Sequence, residues 1–94
     1  MKAQTREQVR RLEDIPNVGP RIAGDFRTLG ITEPKQLKGK NPMMLYAQLC
    51  EATRSRHDPC VLDTFMAVVD FMEGAPKRPW YAYTLKRKKE YPEV

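Results

Sequence analysis

Eight prolines divide this 94-residue chain, and four of them stand where a helix can begin. These four are Pro20, Pro34, Pro42 and Pro59. Proline lacks the amide that an α-helix needs beyond its first turn, so it is tolerated at a helix start and breaks a helix interior. Glycines at positions 30, 39 and 74 are placed to end such helices. The positions of these prolines and glycines therefore restrict the chain to short helical segments joined by tight turns.

Two longer helices are indicated by a capping residue followed by proline. Asn41 and Asp58 can accept hydrogen bonds from the first free amides, which predicts helices over residues 42–55 and 59–73. The second is apolar around most of its circumference and should form the centre of the core. Shorter helices are predicted over residues 2–12, 20–29 and, capped by Thr32, 33–38. No strong strand signal is present, so we expect an all-α, compact bundle of about five helices.

Size and composition fit one small core that needs neither metal nor disulfide. The two cysteines, Cys50 and Cys60, are too few for a disulfide framework. The longest apolar run, residues 65–69, is far too short to span a membrane, and we expect a cytoplasmic protein with no membrane partner. We expect a helical domain over residues 1–76 and a basic, aromatic C-terminal tail over 77–94, partly packed on the core.

The net charge of +5 is concentrated at the two ends of the chain. Residues 1–12 carry four basic and one acidic side chain, and residues 75–94 carry six basic and two acidic. Basic ends suit a polyanionic partner such as nucleic acid, and they also suit a protein that simply stays soluble. Both interpretations remain open from charge alone.

A sharp turn is predicted between the first two helices, over residues 15–19, which we call the hairpin turn. Asn17 tolerates a left-handed backbone, and Gly19 has no Cβ to block a ligand. The amides of Gly19, Arg21 and Ile22 lack partners within the following helix, and the helix dipole adds positive charge at the same end. A phosphate can bind such amides, with Arg21 adding a charged contact.

The stretch "IPNVGPRIAGDF" resembles the helix-hairpin-helix motif. The matching residues are Ile15, Pro16, Val18, Gly19, Pro20, Arg21 and Ala23. Asn17 departs from the motif, because it stands where the first hairpin glycine is usual and its side chain is able to crowd a phosphate.

Together with "NPMMLYAQLC" and "HDPCVLDTFMAVVDFMEG", the stretch resembles the pathogenicity-locus family of small bacterial helix-hairpin-helix proteins, also labelled mitomycin-resistance proteins. That resemblance covers about residues 10–85. The C-terminal domain of Sxy/TfoX-type competence regulators is similar more distantly. The resemblance implies a SAM-like helical arrangement and sequence-independent DNA binding. It also implies a place for a monovalent cation on the carbonyls of Glu13, Ile15 and Val18, or alternatively a hairpin that only joins two helices.

Other basic residues are candidates for phosphate contacts. They are Lys35, Lys38 and Lys40 in a degenerate counterpart of the hairpin, and Lys86, Arg87 and Lys88 in the tail. Each lysine of the first group can equally belong to a solvated helix face. Trp80 can stack on an unpaired base, although we expect it to pack on the core and leave only "KRKK", residues 86–89, in solvent.

Catalytic chemistry is not indicated. Cys50, His57 and Cys60 have the spacing C-x6-H-x2-C, which lacks a fourth zinc ligand, and nothing in the sequence places a cation beside either thiol. We therefore expect structural cysteines, no metal, no cofactor and no enzyme activity. The leading hypothesis is a binder of the DNA backbone that uses Asn17, Gly19, Arg21 and Ile22. The alternative is a protein–protein interaction module built from the same bundle, with its oligomeric state open.

Overall fold

The structure is a computed structural model that describes residues 2–94, and within that range it contains helices and turns but no strand. Residues 2–94 form four α-helices: α1 (Pro20–Thr28), α2 (Pro42–Thr53), α3 (Pro59–Met72) and α4 (Thr84–Glu90). Four short 3-10 turns accompany them: Arg6–Gln8, Leu12–Asp14, Pro34–Leu37 and Trp80–Tyr83. The predicted all-α bundle is confirmed, with a slightly different number of helices.

The two longer helices begin where their caps place them. Asn41 Oδ1 accepts hydrogen bonds from the amides of Met43 (2.9 Å) and Met44 (3.2 Å), and Asp58 Oδ1 accepts one from the amide of Cys60 (2.8 Å). Each cap satisfies amides that would otherwise lack a partner in the first turn.

The core is built around α3, which packs against α2, α4 and the turns at 34–37 and 80–83. Nearly all its side chains are buried, including Leu62 and Phe65, which are fully inaccessible. Phe26 of α1 stacks on Phe65 with ring centroids 5.0 Å apart, so α1 is fixed against the centre of the molecule. This contact also fixes the position of the N-terminus of α1 and of the hairpin turn that precedes it.

The predicted helix over residues 2–12 is wrong, because side chains satisfy the backbone there instead of a helical ladder. Gln8 Oε1 accepts the amide of Gln4 (2.7 Å), and Asp14 Oδ2 accepts the amides of Arg10 and Arg11 (3.0 Å each). Such local bonds compete with helix formation. The first arm of the hairpin is consequently the 3-10 turn Leu12–Asp14 rather than an α-helix.

The segment 33–38 also differs from its prediction. It forms a 3-10 turn that begins after Glu33, and Thr32 does not cap it. Instead, Gln36 Oε1 reaches back to the amides of Thr32 and Glu33, both at 2.8 Å. A four-residue turn with one buried anchor, Leu37, is too short to propagate an α-helix.

The C-terminal segment folds back on α3 through a buried ion pair. Asp63 is only 1% exposed, and its carboxylate accepts bonds from Arg87 Nε and Thr84 Oγ1, each at 2.8 Å. Tyr83, the residue before Thr84, is also buried, and this burial raises the pKa of its phenol. Residues 80–90 are therefore part of the packed structure.

Candidate nucleic-acid interface

The hairpin turn is anchored from inside by two apolar side chains. Ile15 and Val18 are fully buried, and the amide of Val18 donates to the carbonyl of Ile15 at 3.1 Å. Asn17 between them has a φ of 73°, which confirms its predicted left-handed conformation. These contacts fix the shape of the turn where it leads into α1. We call residues 19–22, which follow the buried Val18, the outer edge of the turn.

The outer edge presents unpaired amides. Within residues 2–94, no acceptor is hydrogen-bonded to the amides of Gly19, Arg21 or Ile22. Gly19 has ordinary extended backbone, with a φ of −92°, and apart from its chain neighbours no atom of residues 2–94 lies within 4 Å of the position that a Cβ would take. Arg21 is exposed beside them. Three donors at the positive end of a helix dipole are therefore left without an acceptor among the described residues.

A lysine from the N-terminus holds the back of this turn. Lys2 Nζ donates to the carbonyls of Glu13 and Val18, and the amide of Ala3 donates to Asp14 at 2.8 Å, which fixes Lys2 there. The Val18 carbonyl belongs to the same peptide group as the Gly19 amide. An ammonium on that carbonyl polarises the peptide and makes the amide a stronger donor.

These contacts conflict with the monovalent-cation site that the resemblance implies. Two of its three carbonyls, on Glu13 and Val18, already bind the Lys2 ammonium, and the third, on Ile15, accepts the Val18 amide. The arrangement does not fit a bound metal ion, because Lys2 supplies a positive charge at that place.

Asn17 does not crowd the amides, because its side chain is bound to the C-terminal segment. Its Nδ2 donates to the carbonyl of Arg78 at 2.8 Å, and its Oδ1 accepts the amide of Trp80 at 3.1 Å. An asparagine at the usual glycine position thus joins the hairpin turn to a segment more than sixty residues away in sequence.

A cleft of about 440 Å³ lies at this junction. It is lined by Lys2, Pro16, Asn17, Lys77, Arg78, Pro79 and Tyr81. Tyr81 is 65% exposed, and Trp80 meets it edge-on with ring centroids 5.7 Å apart. We call this surface the hairpin cleft.

Trp80 departs from its prediction, because it remains 38% exposed instead of packing in the core. Tyr83, three residues later, takes the buried position against α3. The two side chains lie on one short turn, and the backbone bond to Asn17 holds Trp80 toward the hairpin.

The other predicted phosphate contacts are not gathered at the hairpin. Lys35 pairs with Glu33 at 3.7 Å and lines a different cleft, next to Arg10 and Arg11. Four further candidates are exposed, and none lines the hairpin cleft: Lys38, Lys40, Lys86 and Lys88.

Arg87 must be corrected as a candidate, because its side chain is 11% exposed and bound to Asp63. Its guanidinium is part of the core packing and is not displayed to a ligand. Lys86 and Lys88, on either side of it in α4, remain in solvent.

Lys77 and Arg78 were predicted only as part of the basic, aromatic tail, and Lys2 was not predicted as a site residue, although all three line the hairpin cleft. Asn17 is the sequence feature that could have indicated them. It stands where the motif usually has glycine, and its side-chain amide needs hydrogen-bond partners, which the segment at Arg78 and Trp80 supplies. The sequence does not say which distant segment supplies those partners.

Cys50 and Cys60 are free and half-buried, and burial raises the pKa of the Cys60 thiol. In the part of the chain that the structure describes, no group of three or more His, Cys, Asp or Glu side chains is placed to hold a metal ion. Residues 2–94 also contain no helix long and apolar enough to cross a membrane.

Comparison with known proteins places this chain in a family. The model of a family described as pathogenicity locus matches residues 5–89. A relative, the mitomycin resistance protein McrB of Streptomyces lavendulae, is 46% identical over 78 residues, covering 83% of this chain and 74% of its own length. The chain belongs to the pathogenicity locus family. No solved structure matches it.

The match to the pathogenicity locus family includes the hairpin turn, α1 and the C-terminal segment that Asn17 binds. It begins after Lys2, so the lysine that holds the back of the turn lies outside the matched residues. The description of the family and the name of the relative are the two labels that the sequence resemblance gave.

Proposed function

We propose that this protein is a non-enzymatic DNA-binding protein that grips the sugar–phosphate backbone without reading base sequence. The observation that carries the proposal is the set of unpaired amides at Gly19, Arg21 and Ile22. The open space in front of Gly19 supports it, since a phosphate oxygen needs close approach to the main chain.

Two charged side chains strengthen this anion site. Arg21 stands beside the amides and can add a charge-assisted bond to a phosphate oxygen. Lys2 binds the peptide group of the Gly19 amide from behind. In this proposal the hairpin turn serves as the hairpin of a helix-hairpin-helix motif whose first helix is replaced by the 3-10 turn Leu12–Asp14.

Sequence independence follows from the type of donor. Main-chain amides bind phosphate oxygens, which repeat identically along DNA and carry no base information. The exposed lysines at 38, 40, 86 and 88 would add only long-range attraction, which raises the rate of encounter and weakens with salt.

The test is the salt dependence of duplex binding, followed by fluorescence anisotropy. Each neutralised phosphate contributes about −0.9 to the slope of log affinity against log salt. Arg21→Glu should weaken binding and make the slope less steep by about one phosphate contact. Arg54→Glu, at the end of α2, makes the same charge change outside the hairpin and serves as the control.

If Arg21→Glu and Arg54→Glu weaken binding equally, the hairpin is not the site. If neither variant nor salt changes the affinity, the protein does not grip the backbone. A mass that increases with protein concentration would then favour the interaction module.

A further inference from the structure

We propose that the hairpin cleft binds an unpaired nucleotide, so that the protein favours DNA in which a single strand continues from a duplex. This inference rests on the proposed function, because the hairpin amides would hold the phosphate that leads into the cleft. It adds a second subsite, one that binds a base by its face.

The charge of the cleft selects an anionic occupant. Its lining includes Lys2, Lys77 and Arg78, and no acidic side chain is among the lining residues. Lys77 forms no ion pair within residues 2–94. A phosphate entering the cleft therefore meets positive charge that is not already neutralised.

The shape and chemistry of the walls select a flat ring. Pro16, Pro79 and Tyr81 supply the apolar surface, and the volume of about 440 Å³ lies within the range of small-ligand sites. Tyr81 keeps most of its ring exposed while the edge contact with Trp80 supports it. Bases stack on such rings whatever their identity, because every base has a π-face.

The hydrogen bonds of Asn17 place this subsite next to the phosphate site. Asn17 lies two residues before Gly19, whose amide has no acceptor among the described residues, and it binds the backbone at Arg78 and Trp80. One residue thus fixes both subsites in a common frame. A base in a duplex is stacked on both faces and cannot enter the cleft, so the occupant must be unpaired.

The experiment compares three labelled DNAs by anisotropy: a blunt duplex, the same duplex with a short single-stranded extension, and that extension built from abasic nucleotides. The abasic extension keeps the phosphates and removes the bases. The intact protein should bind the normal extension at least about fivefold more tightly than the blunt duplex, the gain expected from one stacked base. The abasic extension should give little of that gain.

The variants assign the gain to the cleft. Tyr81→Ala should lose the gain from the extension and keep the affinity for the blunt duplex, whereas Tyr81→Phe should retain both. Leu85→Ala removes another exposed apolar side chain, 80% accessible, from the same segment and should leave the gain unchanged. Quenching of Trp80 emission by the extension, absent with abasic DNA, would support the same contact.

Each failure has its own meaning. If the normal and abasic extensions bind alike, or if Tyr81→Ala keeps the gain, the nucleotide subsite is wrong and backbone binding stands. If the protein binds neither the blunt duplex nor either extension, the proposed function fails and this inference with it.

Discussion

Replacing Arg87 with alanine should destabilise the protein by about 3 kcal/mol, because it leaves the buried Asp63 carboxylate without its charge partner. Breaking a buried ion pair costs about 3–5 kcal/mol. Asp63 keeps its bond from Thr84, and Arg87 is 11% exposed, so some water can reach the gap. Both facts favour the lower end of that range.

Urea unfolding followed by circular dichroism measures this effect. The corresponding fall in the melting temperature is about 12–24 °C for a domain of this size. Lys86→Ala, the exposed neighbour in α4, is the control and should change the free energy of unfolding by less than about 0.5 kcal/mol. A loss below about 1 kcal/mol in Arg87→Ala would show that the guanidinium is not held on Asp63. Arg87 would then again be a candidate for DNA contact.

Two further predictions concern the first arm of the hairpin. Lys2→Met should lower the affinity for duplex DNA about tenfold, because the variant loses a positive charge and the Gly19 amide becomes a weaker donor. The unaltered protein should bind DNA equally in sodium and potassium salts, because Lys2 occupies the place of a monovalent cation. If Lys2→Met and the unaltered protein bind DNA equally well, Lys2 does not have this role. The amides of Arg11 and Arg10 lower the pKa of Asp14, so its contribution to stability is present above the unfolded pKa of about 3.9 and is lost as the pH falls through the folded value. The urea concentration at the unfolding midpoint should therefore decrease when the pH falls below about 4, and Asp14→Asn should make that decrease smaller. If Asp14→Asn and the unaltered protein lose the same stability in acid, this prediction is wrong.

The sequence was most informative where one residue decides the local backbone. Asn41 and Asp58 each precede a proline, and both helices begin there as predicted, because the cap and the proline act within one turn. Asn17 adopts the left-handed conformation predicted for it. These outcomes depend on neighbours in sequence, which the sequence shows directly.

The sequence was least informative where a side chain finds a distant or unexpected partner. The apolar pattern of residues 2–12 was weak, and side chains of Gln8 and Asp14 took the amides that a helix would need. Asp63 lies inside an apolar helix, and only the fold shows that Arg87, 24 residues later, neutralises it. The free amides of the hairpin could be predicted from the start of α1, whereas the hairpin cleft depends on contacts that no local pattern contains.

Gly19→Asp tests most directly whether the open amides of the hairpin bind phosphate. Aspartate is a strong helix N-cap, so its carboxylate should accept the free amides of Arg21 and Ile22 and keep or slightly raise stability. The same bonds would remove the donors that DNA needs. Gly24→Asp, on the exposed side of α1, makes the same charge change where an added Cβ also meets no atom.

The decisive measurement is the duplex affinity of these two variants beside their melting temperatures. We expect Gly19→Asp to bind about ten- to one-hundredfold more weakly, since a bond to a charged group contributes about 1.5–3 kcal/mol. Its melting temperature should not fall, and Gly24→Asp should bind within about threefold of the unaltered protein. If the two variants bind DNA equally well, the hairpin amides do not contact phosphate and the protein does not grip the DNA backbone through its hairpin.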